Sequence, residues 1–390
     1  MRKKAFFVLS LIAMAQLMVS PVFAAAENAG ALDSVREVQQ YNFSIGILAM
    51  LLVGFGFLMV FVKKYGYSAT TGTFLIVATT IPFYLFLRST GILSSEAIAA
   101  DSIKSLLLAE FAAAAALISM GAVLGRIKLH QYLLLGLLIV PVYLLNEWMV
   151  LDGGLGVTKG FVDSAGSIVI HAFGAYFGIG LTFALTNAKN RETPIESDAT
   201  SDRFSMLGSM VLWIFWPSFC SAIVPDGQFA QTVINTILAL SGATICTFAF
   251  SMLFHKGKVA IADIANASLA GGVAIGATCN IVSPLGAFGI GILAGALCVT
   301  GYKFIQPWMQ KKLKIVDTCG VHNLHGMPGI LGGLMAILAV PAIAKAQLVG
   351  IVFTVALALA AGFIGGYIIR LTGEKKLAYN DSEEFDMEEA

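Results

Sequence analysis

Two stretches carry groups capable of chemistry inside otherwise greasy sequence. "DSAGSIVIHAFGA" starts at Asp163 and "DTCGVHNLHGMPG" starts at Asp317. Each has an aspartate, a glycine three residues on and a histidine eight residues on: Asp163/Gly166/His171 and Asp317/Gly320/His325. A further histidine, His322, falls within the second stretch. A neutral imidazole offers one donor and one acceptor, so two facing rings could share a proton and give a small polar molecule a hydrogen-bonding path. Desolvation disfavours imidazolium, so both rings are expected to be neutral. The aspartates are expected to cap the segments they begin and to complement their dipoles, with Gly166 and Gly320 as structural support.

The elements that position these groups follow from composition. The chain is 58% hydrophobic and 12% charged, with mean hydropathy +0.84. Soluble proteins carry about 45–50% apolar and about 25% charged residues. This composition implies an all-α polytopic membrane protein, and a net charge of +1 argues against a nucleic-acid partner. At about 20 apolar residues per crossing, eleven transmembrane helices are expected near 41–62, 70–92, 104–125, 132–151, 165–187, 204–224, 231–254, 262–282, 284–303, 319–341 and 347–371. Residues 1–26 read as a cleavable signal peptide: Arg2, Lys3 and Lys4 precede an apolar core and a small-residue end at Ala24–Ala26. Residues 27–376 then form a single channel domain, with halves 41–187 and 204–341 and a last helix 347–371. Residues 377–390 form an acidic tail expected to be cytoplasmic and disordered.

Orientation follows from basic residues. With the mature N-terminus outside and the C-terminus inside, the outer side holds only Arg36, Arg88, Lys104, Lys159 and Lys345. Sixteen Lys and Arg fall inside; with the three in the signal, these account for all 24. The first Asp–Gly–His segment then enters from outside and the second, five spans later, from inside. That is the pattern of a 5+5 inverted repeat plus a final helix. Eight residues at about 1.5 Å each put each histidine about 12 Å into a core about 30 Å thick, so the two rings meet axially near the midplane.

An ionisable group at that depth marks a functional site by default. Two histidines that merely satisfy each other in the core are the bland alternative, and the symmetry of the pair weighs against it. A metal centre built from His171, His322 and His325 is another. No HExxH or ExxH motif accompanies them, so no metal and no cofactor are expected. The soluble segments are too short for a catalytic domain, so no enzyme is expected.

At these residues the chain resembles the ammonium transporter/Rhesus glycoprotein (Amt/Rh) family, and it looks closer to the Rhesus branch found in some bacteria. The resemblance rests on "LISMGAVLGR" (117–126), "IHAFGAYFGI" (170–179), "FWPSFCSAI" (215–223), "NASLAGGVAIG" (266–276) and "DTCGVHNLHGMPGILGG" (317–333). It implies a homotrimer in the inner membrane of a bacterium, with one pore per subunit. It makes His171 and His325 the twin pore histidines and His322 an additional histidine of the Rhesus type. It also promotes Phe111 and Phe219 to a stacked pair above the histidines. Trp148 lies further from Asp163 than the tryptophan of the transporter branch's outer cation site, and Ile223 is apolar where that site has a serine. Both departures point to low-affinity, gas-channel-like conduction of ammonia derived from ammonium. A carbon dioxide channel of the same fold is the first alternative; a membrane metalloenzyme and a sensor with an occluded pore follow.

Overall fold

The computed structural model describes residues 31–93, 99 and 101–387. The expected signal peptide lies outside the described residues. By its contacts the chain divides into a unit ending at Gln39 and a unit beginning at Gln40; the site described below lies in the second.

The described residues are helical, with no strand among them. α1 (Ala31–Ala49) continues through a π turn, Met50–Phe55, to Phe61. Then come α2 (Gly66–Ser89), α3 (Ile103–Val123), α4 (Leu129–Val150), α5 (Ser167–Leu185), α6 (Ala199–Ser221) and α7 (Phe229–Phe254). α8 is two short pieces, Ile261–Ala267 and Ala270–Ile275. α9 spans Pro284–Leu313, α10 is a π turn, His322–Gly326, continued by Met327–Ala339, and α11 spans Pro341–Leu371. Nine of the described helices are long and apolar enough to cross a membrane; α8 and α10 are the shorter ones.

Local chemistry sets these boundaries. Ser102, Asp198 and Ser283 accept backbone N–H bonds at the starts of α3, α6 and α9. The apolar run 276–282, expected to continue a span, is instead non-helical. The Asn235 amide donates to the carbonyls of Cys279 and Val282, and Ser167 Oγ accepts from Ala277 N–H. Those bonds replace the ones a continued helix would supply. Small residues bring helices into backbone contact: a Cβ on Gly174 would lie 2.6 Å from the Ala115 carbonyl oxygen, and one on Gly295 2.6 Å from that of Ala243.

The acidic tail is ordered over its described part, contrary to the expectation of disorder. Asp381 is 5% exposed and accepts from Tyr67 N–H (3.0 Å) and Ser68 N–H (2.8 Å) at the start of α2. Its own N–H donates to the Lys64 carbonyl, and Tyr379 N–H donates to the Gly125 carbonyl. Glu384 accepts from Leu129 N–H at the start of α4. Composition argues for disorder only when a segment has nothing to bury or cap; this one caps two helix starts.

Candidate functional site

The two Asp–Gly–His segments fold alike. Asp163 Oδ2 accepts from the N–H groups of Ile168 and Val169, at 3.0 and 2.8 Å. Asp317 accepts from Val321 and His322 N–H, both at 3.0 Å. Gly166 and Gly320 take positive φ, +77° and +69°, the left-handed region that favours glycine. A Cβ on either would lie 2.3 Å from a neighbouring side chain, Ile170 or Tyr302. Two residues after each aspartate, the backbone N–H reaches the other half: Ala165 donates to the Gly276 carbonyl at the end of α8, and Cys319 to the Gly121 carbonyl near the end of α3. Each segment then opens into a π turn, Ser167–Ala172 and His322–Gly326, that contains its histidine.

Those turns bring His171 and His325 together, a lateral contact that sequence spacing leaves open. Their Nδ1 atoms are 3.3 Å apart, and the rings stack with centroids 5.3 Å apart and planes 10° apart. His171 is 3% exposed and His325 5%. Phe219 lies 5.9 Å from His171, and Phe111 lies 4.8 Å from Phe219, so the two phenylalanines cover the pair on one side. Phe55 stacks on His325 from the other side at 6.2 Å. A small cavity is bounded by Met50, Ala114, His171, Trp216 and Phe219. A second is bounded by Leu58, Leu117, Cys319, Leu324 and His325. Phe55 borders both.

His322 stands apart from this column. It meets Tyr176 edge-on at 5.7 Å and borders a separate space with Asp317, Asn323 and Gln306. Trp148 crowds Gly154 in the α4–α5 loop, where an added Cβ would lie 3.0 Å from its ring. Among the described residues no group of three or more His, Cys, Asp or Glu converges as a metal site would require.

Sequence reasoning missed Trp216 and Phe55. Trp216 stacks on His171 at 5.8 Å and 21°, and its Nε1, like His171 Nε2, is buried with no hydrogen-bond partner among the described residues. The signal for Trp216 was its place three residues before Phe219, which puts both on one helix face. Phe55 gave no such signal, being one of 27 phenylalanines.

An all-helical chain with a paired-histidine column between apolar cavities can be compared with known proteins. Residues 5–390 match the Ammonium Transporter Family. The chain belongs to the ammonium transporter family. It is similar to the solved structure of Nitrosomonas europaea Rh50, of the Rhesus protein family of channels: 64% identity, TM-score 0.91, covering 92% of this chain and 94% of that one. It is also 41% identical to the ammonium transporter Rh type B of Oryctolagus cuniculus, over 83% of this chain and 76% of that protein. A third relative, the ammonium transporter Rh type A of Canis lupus familiaris, is 40% identical over 78% of this chain and 73% of that protein. A member of the ammonium transporter family is a multi-pass membrane protein, a channel or transporter and not an enzyme.

Proposed function

We propose that the chain conducts ammonia, derived from ammonium, through the column of Phe111, Phe219, His171 and His325. The observation that carries this is the His171–His325 contact of 3.3 Å, enclosed by aromatic rings and flanked by cavities. Taking an ammonium ion out of water into such a column costs far more than taking in neutral ammonia, which needs only a hydrogen-bond partner. The Nδ1–Nδ1 bond supplies one. Whichever ring donates, its own Nε2 is left as an acceptor and its partner's Nε2 as a donor. Ammonia, with three N–H groups and one lone pair, satisfies both. Ammonium thus arrives outside and sheds its proton. Ammonia passes Phe111 and Phe219, pairs with the imidazoles and regains a proton on the far side.

The matching hydrogen bonds at Asp163/Ala165 and Asp317/Cys319 support a 5+5 inverted repeat. With the final helix this gives eleven spans, the shorter α8 and α10 included, with the N-terminus outside and the C-terminus inside. We place residues 1–26 as a cleaved signal and the protein as a homotrimer in a bacterial inner membrane. Residues 377–387 of the tail then pack on the cytoplasmic face.

Stopped-flow recording of internal pH in proteoliposomes tests this. An ammonia gradient should alkalinise wild-type vesicles faster than empty ones, and His171→Ala or His325→Ala should alter the rate in protein that still folds. Wild-type rates in both variants would refute the reading. The apolar walls of the cavity beside His171 would suit carbon dioxide, also small and neutral, as the alternative cargo. Enhancement with carbon dioxide and none with ammonia would transfer the assignment to that gas.

A further inference from the structure

A polar pocket lies where the start of α4 meets the ends of α5 and α11, on the cytoplasmic face in the orientation proposed above. The conduction pathway does not use it. Arg126, Gln131, Asn190, Arg370, Glu374 and Lys375 are among its lining residues. Arg126 follows α3 and is 5% exposed. Its guanidinium donates to Thr186 Oγ1 (2.9 Å), to Thr318 Oγ1 (3.3 Å) and to the carbonyls of Ala122 and Val316. All four acceptors are neutral. Among the described residues no carboxylate comes within ion-pair distance of it. Asp317, between Val316 and Thr318 in the chain, gives its oxygens to the N–H groups of Val321 and His322 instead. A buried cation without a counter-charge is costly, so the pocket beside Arg126 calls for an anion.

The other lining groups add to that demand. Lys375 is buried; its Nζ lies 3.4 Å from Glu384 Oε1 and 5.5 Å from the centre of the Tyr65 ring. Glu384 is shared with Leu129 N–H. Arg370 and Glu374, both about half exposed, pair through Arg370 Nε at 3.3 Å. The lining thus carries three cations, Arg126, Arg370 and Lys375, against one acid, Glu374. The carbonyls that end α11 do not offset this, because Gln131 Nε2 takes those of Ile369 and Gly373 at 3.0 and 2.7 Å. Asn190 accepts from Asn187 N–H through Oδ1, which leaves its Nδ2 as a donor. Charge and donors both suit an anion with several acceptor oxygens. A tetrahedral phosphate group meets this description: guanidinium groups match its oxygens in direction, and an ammonium adds a point charge.

We infer that this pocket binds a phosphate group, held by Arg126, Arg370 and Lys375. The group has two sources at a cytoplasmic membrane face, free phosphate and the headgroups of anionic lipids, and both present the same oxyanion. Arg126 also holds Val316 and Thr318, the chain neighbours of Asp317, so an occupied pocket stands against the segment that carries His325. The inference goes beyond the conduction reading and takes from it only the orientation.

The test is thermal unfolding of the full chain in detergent, titrated with inorganic phosphate while chloride holds the ionic strength constant. The wild-type melting temperature should rise along a saturating curve. Arg126 also ties three segments together, so the variants are placed at the half-exposed pair. Arg370→Gln should raise the half-saturating phosphate concentration about three- to fivefold, and Glu374→Gln should lower it by a similar factor. A general loss of stability does not produce opposite shifts. The same three proteins are then compared in nanodiscs of phosphatidylglycerol and of phosphatidylcholine. A phosphate titration with opposite shifts assigns the free anion. No response to phosphate, with opposite melting-temperature shifts of the two variants in phosphatidylglycerol and none in phosphatidylcholine, assigns the lipid headgroup. Variants that shift alike or not at all in both arms overturn the proposal and leave Arg126 as a clip between loops. Neither arm measures transport, so a failure of the channel reading leaves this result standing.

Discussion

Gly329→Ala tests whether the histidine contact depends on how closely α5 and α10 approach. Gly329 is four residues after His325, on the same face of α10. A methyl there would lie 2.4 Å from the Ser167 carbonyl oxygen and 3.1 Å from the Ala172 nitrogen. Both atoms are backbone of the π turn that holds His171, so no side chain can rotate away. The closer contact is about 1 Å inside ordinary van der Waals distance, and the helices must separate by roughly that much. Starting from 3.3 Å, the Nδ1–Nδ1 contact would then open beyond hydrogen-bonding range. Overpacking of this kind costs about 1–3 kcal/mol. The hydrogen bond lost between the rings is worth about a further 1 kcal/mol. The expected outcome is a protein that folds with a lowered melting temperature in detergent and conducts ammonia several-fold more slowly, with both histidines still present. The assay is stopped-flow alkalinisation beside thermal unfolding of the same preparation. Wild-type flux in a destabilised Gly329→Ala would show that conduction does not need the 3.3 Å contact. Wild-type values of both quantities would show that the helices tolerate the methyl, and the packing argument would fall.

Two further perturbations probe the tail face. Asp381→Ala removes the acceptor for Tyr67 and Ser68 N–H, a capping loss of about 1–2 kcal/mol. It should lower the melting temperature and expose residues 377–387 to protease; a tail cleaved no faster than in the wild type would contradict the docking. At the start of α6, the N–H of Ser201 first and that of Thr200 hold the Asp198 carboxyl below its ordinary value. A depressed folded-state pKa stabilises above the unfolded value and ceases to do so as pH falls through the folded one. The melting-temperature gap between wild type and Asp198→Ala should therefore be constant near neutrality and close below about pH 4; a gap independent of pH would refute this.

The helical class, most helix positions and the pairing of the two Asp–Gly–His segments were legible because each depends on local pattern. Apolar run length sets a span, and identical spacing from a capping aspartate sets a depth. Three features were not legible, because each is fixed by partners far away in the chain. The 276–282 run looked helical by composition, yet Asn235 and Ser167 take its backbone groups. The tail looked unstructured by charge, yet Lys64, Tyr67 and Gly125 supply its partners. His322 was expected as an additional histidine beside the pore pair, yet its neighbours are Tyr176, Asp317 and Gln306 rather than the lining of the column. Glu110 also escaped notice. It is the only charged residue between Lys104 and Arg126, which was a signal in itself, and the structure adds that it is fully buried.

The π turns explain why so short a pattern suffices. In an α-helix entered at the aspartate, eight residues would rotate the histidine to a direction fixed by the 3.6-residue period. Here His171 N–H bonds to the carbonyl five residues back, at Gly166, and Met327 N–H likewise reaches His322. Each half therefore carries a wide turn beside its histidine, of the kind often found at functional sites. One wide turn alone would swing one ring away from the other. A wide turn in each half, with the same offset from aspartate to glycine to histidine, leaves the two rings facing. A one-residue insertion or deletion between Asp163 and His171 would rotate a single ring by about 100° and part the pair. The contact thus depends on the two segments keeping the same length, and the equal spacing in the sequence follows from that dependence.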